Sequence, residues 1–287
     1  LLSGYKIPSL SIIYFSANIL RGVINMANKV VLFEVHDKVA TVTINRPEVR
    51  NAVNGDVLAG LAEAVETILA QTEIRAVILT GAGDRAFSAG LDLKAASSGG
   101  AGIVLTHATR SEFETLEMGG RVYRALEALP VPVIAAVNGF CLGMAFELSL
   151  VCDIRLAAET AFFSIPEVQL GTIPDFGGTQ RLTKLIGAGK AKELIFTGRR
   201  IDAAEALRIG LVQHIYPLDK LMEEANKMAQ EIAAIAPPLI QGAKRAINVA
   251  VSYPLDIGLG YETMNAVSTR QNIQDGAADL LKKSRSA

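Results

Sequence analysis

Apolar and polar positions alternate in VVLFEVHDKVATVTINRP (30–47), on either side of a polar His36-Asp37-Lys38. A period of two predicts a β-hairpin, ended by Pro47. The period then changes. Val57, Leu58, Leu61, Ala64, Val65, Ile68 and Leu69 recur at helical spacing and predict a helix over 54–72. AVILTG (76–81) and VPVIAAVNG (131–139) are short unbroken apolar runs, the pattern of buried strands. A glycine-rich turn follows the first, and Asn138-Gly139 closes the second. Helices are predicted over 111–128 and over 143–152, the latter beginning beside Gly143. CDIRLAA (152–158) and AFFSIP (161–166) read as further strands. The small, Ser/Gly-rich stretch 95–106 is expected to be mobile. This β-β-α cycle favours an α/β fold of stacked turns. From about residue 186 the pattern is helical, over 187–196, 203–209, 218–235, 238–252 and 257–285. It reads as a smaller helical region and not as an independent domain. The chain shows no internal repeat.

Composition narrows the function classes. Half of the 287 residues are hydrophobic, so a sizeable core is easily buried. A formal net charge of −1 gives no hint of a nucleic-acid surface. Cys141 and Cys152 lack metal-type spacing and sit in apolar surroundings, which suits reduced core thiols. The first 25 residues stand apart: they are apolar, but Lys6 and Arg21 interrupt them, leaving a stretch too short and serine-rich for a membrane span. A well-patterned domain begins at Met26. The preferred reading of 1–25 is an upstream-translated or appended extension outside the core. An organelle-targeting remnant and a docking arm stay open.

Two glutamates carry the candidate chemistry. Glu147 lies in NGFCLGMAFELSLVCDIRLA (138–157) and Glu167 in FFSIPEVQLGTIPDFGGTQRL (162–182). A glycine-bearing segment, AFSAGLDL (86–93), lies upstream. Paired carboxylates can act as base and acid when burial and like charge raise one of them. Alone, a Glu early in a helix is an ordinary dipole partner, and a Glu after proline an ordinary loop residue.

From about residue 28 to the C-terminus these stretches resemble the enoyl-CoA hydratase/isomerase (crotonase) family. The resemblance implies an α/β crotonase-like spiral of stacked β-β-α turns with a C-terminal helical region. It implies a spiral core over 26–215 holding a CoA thioester site, and helices over 216–287 for trimerisation and pocket cover. In the family's F-x-A-G-x-D, the residue after glycine donates an oxyanion N–H, which here is Leu91. The second donor lies three positions before the first acid, which here is Met144. Two such donors stabilise the enolate that forms when an enoyl thioester is attacked, and losing one costs about 3–4 kcal/mol. The family's L-G-G-G-x-E reads Leu142-Gly143-Met144-Ala145-Phe146-Glu147 here. Methionine leaves the N–H intact but narrows the approach, unless its side chain turns into the core.

The resemblance assigns Glu147 to water activation and Glu167 to proton transfer at Cα. Asp175, in P-D-F-G-G-T, is a third acid where many hydratases have a small residue. It either moves a proton or serves as a turn-forming cap on the helix at 177–184. Arg85 and Lys94 match basic CoA contacts. Ala89, Leu91, Asp92 and Gly143 are further candidate contacts, with Lys283 from the C-terminal helix. Leu280 stands where phenylalanine is common. CoA enters as part of the substrate, and no separate cofactor or metal is implied.

The expected function is hydration of a 2-enoyl-CoA to a 3-hydroxyacyl-CoA by a homotrimer or a hexamer of two trimers. Neither a nucleic acid nor a membrane partner is expected. The expected location is cytoplasmic, or an organelle matrix if 1–25 is a targeting remnant. An isomerase or a cyclic-acyl hydratase using Asp175 is the same-fold alternative, and a non-catalytic binding protein the distant one. TGAGDRA (80–86) mimics a dinucleotide fingerprint but is a lone match. Ser88 is in no nucleophile elbow. His36, His107 and His214 sit in no partner motif, and His214 is expected in a turn or interface.

Overall fold

Asp37 and Lys38, with φ of 45° and 70°, reverse the chain between β1 (Val31–His36) and β2 (Val39–Ile44). Two successive positive φ values are the tight-hairpin geometry that matches strand twist. The structure, a computed structural model, describes residues 30–94 and 112–270. The 1–25 extension, the 95–106 segment, Leu280 and Lys283 lie outside the described residues.

The spiral arises because each turn gives one strand to each of two sheets. The larger sheet has the order β1-β2-β3-β5-β7-β10, with β3 (Ala76–Gly81), β5 (Val133–Val137), β7 (Ile154–Ala158) and β10 (His214–Tyr216). It is parallel except for the β1–β2 hairpin. The smaller sheet runs β4 (Ala86–Ser88), β6 (Phe140–Leu142), β8 (Phe162–Ser164) and β9 (Ile201–Asp202). β4, β6 and β8 are parallel, and β9 closes the edge antiparallel.

Every residue of β3 and β5 is buried, as unbroken apolar runs in a sheet covered on both faces require. Helix α1 (Gly55–Ala70) covers one side, capped by the Asn54 side chain accepting from the Val57 N–H. Helix α2 (Glu112–Glu127) packs against it. The short α3 (Met144–Leu150) is buried along its whole length. Arg155, itself buried, donates to the Ser149, Cys152 and Leu211 carbonyls and so satisfies the groups left at its C-terminal end. Then come α4 (Gly178–Ile186), α5 (Ala188–Thr197), α6 (Ala203–Arg208), α7 (Leu218–Ala233), α8 (Pro237–Ser252) and α9 (Leu255–Thr269). Leu221, Ala225, Ala229 and Ala233 of α7 bury a mostly small-residue stripe against the larger sheet. Lys244 of α8 is tied to Asp153 at 2.7 Å and to the Val131 carbonyl. No helix among the described residues is long and apolar enough to cross a membrane.

The predicted helices and long strands occur within a few residues of their expected bounds, except that the helix expected over 257–285 is described only as Leu255–Thr269, its remainder lying outside the described residues. The glycine-rich turn after β3 leads into strand β4, with Asn51 and Asn138 side chains donating to its carbonyls at Gly81, Ala82, Gly83 and Ala86. One reading is corrected: His214 lies not in a turn but at the start of the edge strand β10, where it pairs with Leu156 of β7.

Candidate active site

The parallel strands β4 and β6 end side by side, and the chain beyond each supplies one N–H. After β4, Val53 donates to the Gly90 carbonyl and accepts from the Asp92 N–H, at 2.7 and 2.9 Å. That bridge uses the groups flanking Leu91 and leaves its own N–H directed to the other side. After β6, the Gly143 N–H is taken by the Ser164 carbonyl at 2.8 Å, and Met144 opens α3. Its N–H is one of the groups a helix start cannot satisfy internally. Neither the Leu91 nor the Met144 N–H has a partner among the described residues. The two segments are in close contact. A Cβ added to Gly90 (φ +84°) would collide with the Leu142 carbonyl and lie 3.5 Å from the Met144 nitrogen.

Met144 is 4% exposed and belongs to the hydrophobic core cluster, so its side chain turns inward while its N–H stays available. The Tyr123 hydroxyl of α2 donates to the Met144 carbonyl at 2.9 Å.

Glu147 is one turn along α3 and almost fully buried. Its Oε1 accepts from the Phe176 N–H at 2.9 Å and the Gly178 N–H at 2.7 Å. It therefore fills the place of a cap for α4, whose N-terminal flank is Gly177 with no side-chain cap. That overturns the expectation that Asp175 caps this helix. Asp175 stays exposed at its surface, and the protein crowded against its inner side raises its carboxyl.

Glu167 follows Pro166 in a short 3₁₀ turn, Glu167–Leu170, after β8. It reaches back to Gly143: a Cβ there would stand 2.7 Å from Glu167 Oε1. Gly143 also has φ +53°, which disfavours a side chain. Glu167 is thus set beside Gly143, next to the residue whose N–H is open.

Both carboxyls are pushed far above the ordinary range. Burial raises Glu147 to about 8, partly offset by the two N–H bonds and reinforced by Glu167 and Asp175. Burial raises Glu167 to about 7, with Asp175 adding to it. Such an interacting pair holds its protons jointly. Glu147 Oε2 and Glu167 Oε2 are buried and without a hydrogen-bond partner among the described residues. Unpaired buried carboxylate oxygens are costly, so each is an acceptor that a water or a ligand group can satisfy.

The other predicted residues fall into two groups. Ala89 is held by the Arg50 carbonyl, and Asp92 pairs with Arg46 at 2.9 Å, so the Asp92 carboxylate holds the oxyanion segment in place. Arg85 and Lys94 are exposed at the two ends of that segment, where phosphates could be met. Among the described residues no group of three His, Cys, Asp or Glu could hold a metal ion. Sequence reasoning missed Tyr123, Phe176 and Arg181. The one signal for them was the glycine pair at 119–120, an unfavourable choice inside a helix.

Residues 34–285 match the family model described as enoyl-CoA hydratase/isomerase. The chain is 44% identical over 239 residues to a short-chain-enoyl-CoA hydratase of Clostridium acetobutylicum, covering 81% of this chain and 86% of the relative. It is 37% identical over 260 residues to a crotonyl-CoA hydratase of Syntrophomonas wolfei, covering 90% and 97%. The crystal structure of an enoyl-CoA hydratase from Bacillus anthracis superposes with a TM-score of 0.81 at 36% identity, covering 89% and 97%.

Proposed function

Because the chain belongs to the enoyl-CoA hydratase/isomerase family, we propose that it adds water across the Cα–Cβ double bond of a short-chain 2-enoyl-CoA, giving a 3-hydroxyacyl-CoA. The observation that carries this reading is the pair of unpartnered buried oxygens, Glu147 Oε2 and Glu167 Oε2, beside the two open N–H groups. The Glu147 carboxylate takes a proton from water as the water oxygen bonds to Cβ. The double-bond electrons move onto the thioester oxygen, where the Leu91 and Met144 N–H groups receive the charge. Glu167 gives its proton to Cα as the carbonyl re-forms. The Phe176 and Gly178 N–H groups offset only part of the burial that raises Glu147, and its role as the base is taken from the family resemblance. Arg85, Lys94 and Lys283 are proposed phosphate contacts. The names of the relatives support a short acyl chain.

A homotrimer, or a hexamer of two trimers, is part of the proposal. Its support is the apolar surface that α8 and α9 leave exposed, including Ile247, Val251, Leu255 and Met264. Sedimentation of the purified protein tests it, and a monomer at micromolar concentration would refute it.

Asp175 carries the second reading, a double-bond shift or hydration of a cyclic acyl group, as a third carboxyl close enough to raise both glutamates. The test is turnover of crotonyl-CoA, a 3,5-dienoyl-CoA and a cyclic enoyl-CoA by wild type and Asp175→Gly, read by ultraviolet absorbance and product mass. Gain of one water from crotonyl-CoA, insensitive to Asp175→Gly, supports the hydratase. A mass-neutral shift, or activity confined to the other substrates and lost in Asp175→Gly, supports the second reading.

A further inference from the structure

One face of α2 reaches the groups that hold Glu147 and the Met144 carbonyl without contributing a reacting group. Gly119, Tyr123 and Glu127 are spaced four apart and form a single stripe along that helix. Gly119 and Tyr123 meet Phe176 in the loop that enters α4, and Glu127 meets Arg181 on α4 itself. A Cβ on Gly119 would stand 2.5 Å from Phe176 Cε1, so the missing side chain makes room for that ring. The Tyr123 ring packs on Phe176 with centroids 5.2 Å apart, while its hydroxyl holds the Met144 carbonyl. Glu127 forms a two-pronged pair with Arg181, at 2.7 and 2.6 Å. Arg181 Nη1 in turn donates to the Phe176 carbonyl at 2.9 Å. Phe176 is therefore gripped by its ring and its carbonyl, and its N–H is one of the two that fix Glu147.

We propose that the Gly119–Tyr123–Glu127 face of α2 is the positioning element of this site, setting the two N–H bonds at Glu147 through Phe176 and Arg181 and the oxyanion donor Met144 through Tyr123. The inference rests on the hydratase reading for its catalytic meaning, but its geometric content does not depend on the substrate. Glycine inside a helix costs up to about 1 kcal/mol relative to alanine, and two adjacent ones (119–120) are retained here. At Gly119 the return is the seat of Phe176. The ionisable groups coupled to Glu147 are Glu167 after β8, Asp175 before α4, Tyr123 on α2 and Arg181 on α4. Gly119→Ala removes none of these groups and adds no charge, so a raised Glu147 midpoint reports weaker N–H support, whereas loosened packing and less burial would lower it.

The test follows the Glu147 carboxyl by infrared difference titration against Glu147→Gln, in the full-length protein. Gly119→Ala is expected to push Phe176 aside, weaken its N–H bond, and raise the Glu147 midpoint by about one pH unit. Adding Phe176→Leu should relieve the crowding and bring the midpoint back. A merely structural role would lower the melting temperature and leave the midpoint unmoved, and that result overturns the proposal. Tyr123→Phe adds no bulk and tests the other arm if Gly119→Ala fails to fold. It should lower kcat for crotonyl-CoA about tenfold at nearly constant KM, and an unchanged kcat overturns the proposal. Wild type inert on crotonyl-CoA with Gly119→Ala still shifting the midpoint would defeat the hydratase reading and keep this one.

Discussion

Glu147 is more buried than Glu167 and more raised, although two N–H groups support its anion. Burial wins because one carboxylate oxygen receives both bonds and the other receives none. With the carboxyls raised to about 8 and about 7, the pair holds about one proton only in the interval between those values. Productive hydration needs one ionised and one protonated acid, so kcat/KM for crotonyl-CoA should follow a narrow bell. Its limbs should lie near about 7 and about 8, and they belong to the pair. A profile flat from pH 5 to pH 9 would refute the shared proton. Stability follows the same linkage. A Glu whose folded pKa exceeds its unfolded value binds more protons when folded. Its stabilisation is complete below about 4.5 and is lost as pH rises through about 8. Glu147→Gln keeps an oxygen for both N–H groups and cannot ionise. It should match wild type near pH 5 and exceed it at pH 9 by on the order of 2 kcal/mol or more. Urea unfolding at both pH values measures this.

The elements were legible wherever a period had length to show itself. The alternation in 30–47, the helical spacing in 54–72 and the apolar runs at 76–81 and 131–139 all became the elements they predicted. Strands β4, β6, β9 and β10 did not announce themselves, because two or three residues cannot display a period. They are held by neighbours distant in the chain, as β8 holds β6. The two acids were legible as residues, and the resemblance supplied their partnership. The cap on α4 was not legible: it comes from Glu147, 31 residues earlier, across a tertiary contact. Gly143 is the joint where strand, helix and second acid meet. Gly143→Ala adds a Cβ at positive φ, 2.7 Å from Glu167 Oε1. It should cost about 1–3 kcal/mol of stability and lower kcat at least tenfold by displacing Glu167 and Met144. Unfolding and turnover at wild-type levels would show the joint to be indifferent.

Across the whole molecule, one large sheet is the platform, and the strand ends of the smaller sheet lead into the segments of the candidate site. Helix α7 is built into the platform, whereas α8 and α9 pack chiefly on each other. Lys244 is the main polar tie between α8 and the spiral, and it is 9% exposed. Lys244→Met leaves Asp153 with its N–H bond from Val133 and only the non-bonded charge of Arg155 opposite it. The expected loss is about 3 kcal/mol, checked by urea unfolding, and a loss too small to measure would show the tie to be dispensable. The central claim remains that Glu147 and Glu167 act as one unit on an enoyl thioester. Its most direct test is kcat/KM for crotonyl-CoA hydration in wild type, Glu147→Gln, Glu167→Gln and the double variant. Each single change should lower it roughly 10³-fold, with the double variant little worse than the weaker single. Either single variant retaining activity within about tenfold of a wild type that does hydrate crotonyl-CoA would contradict the account.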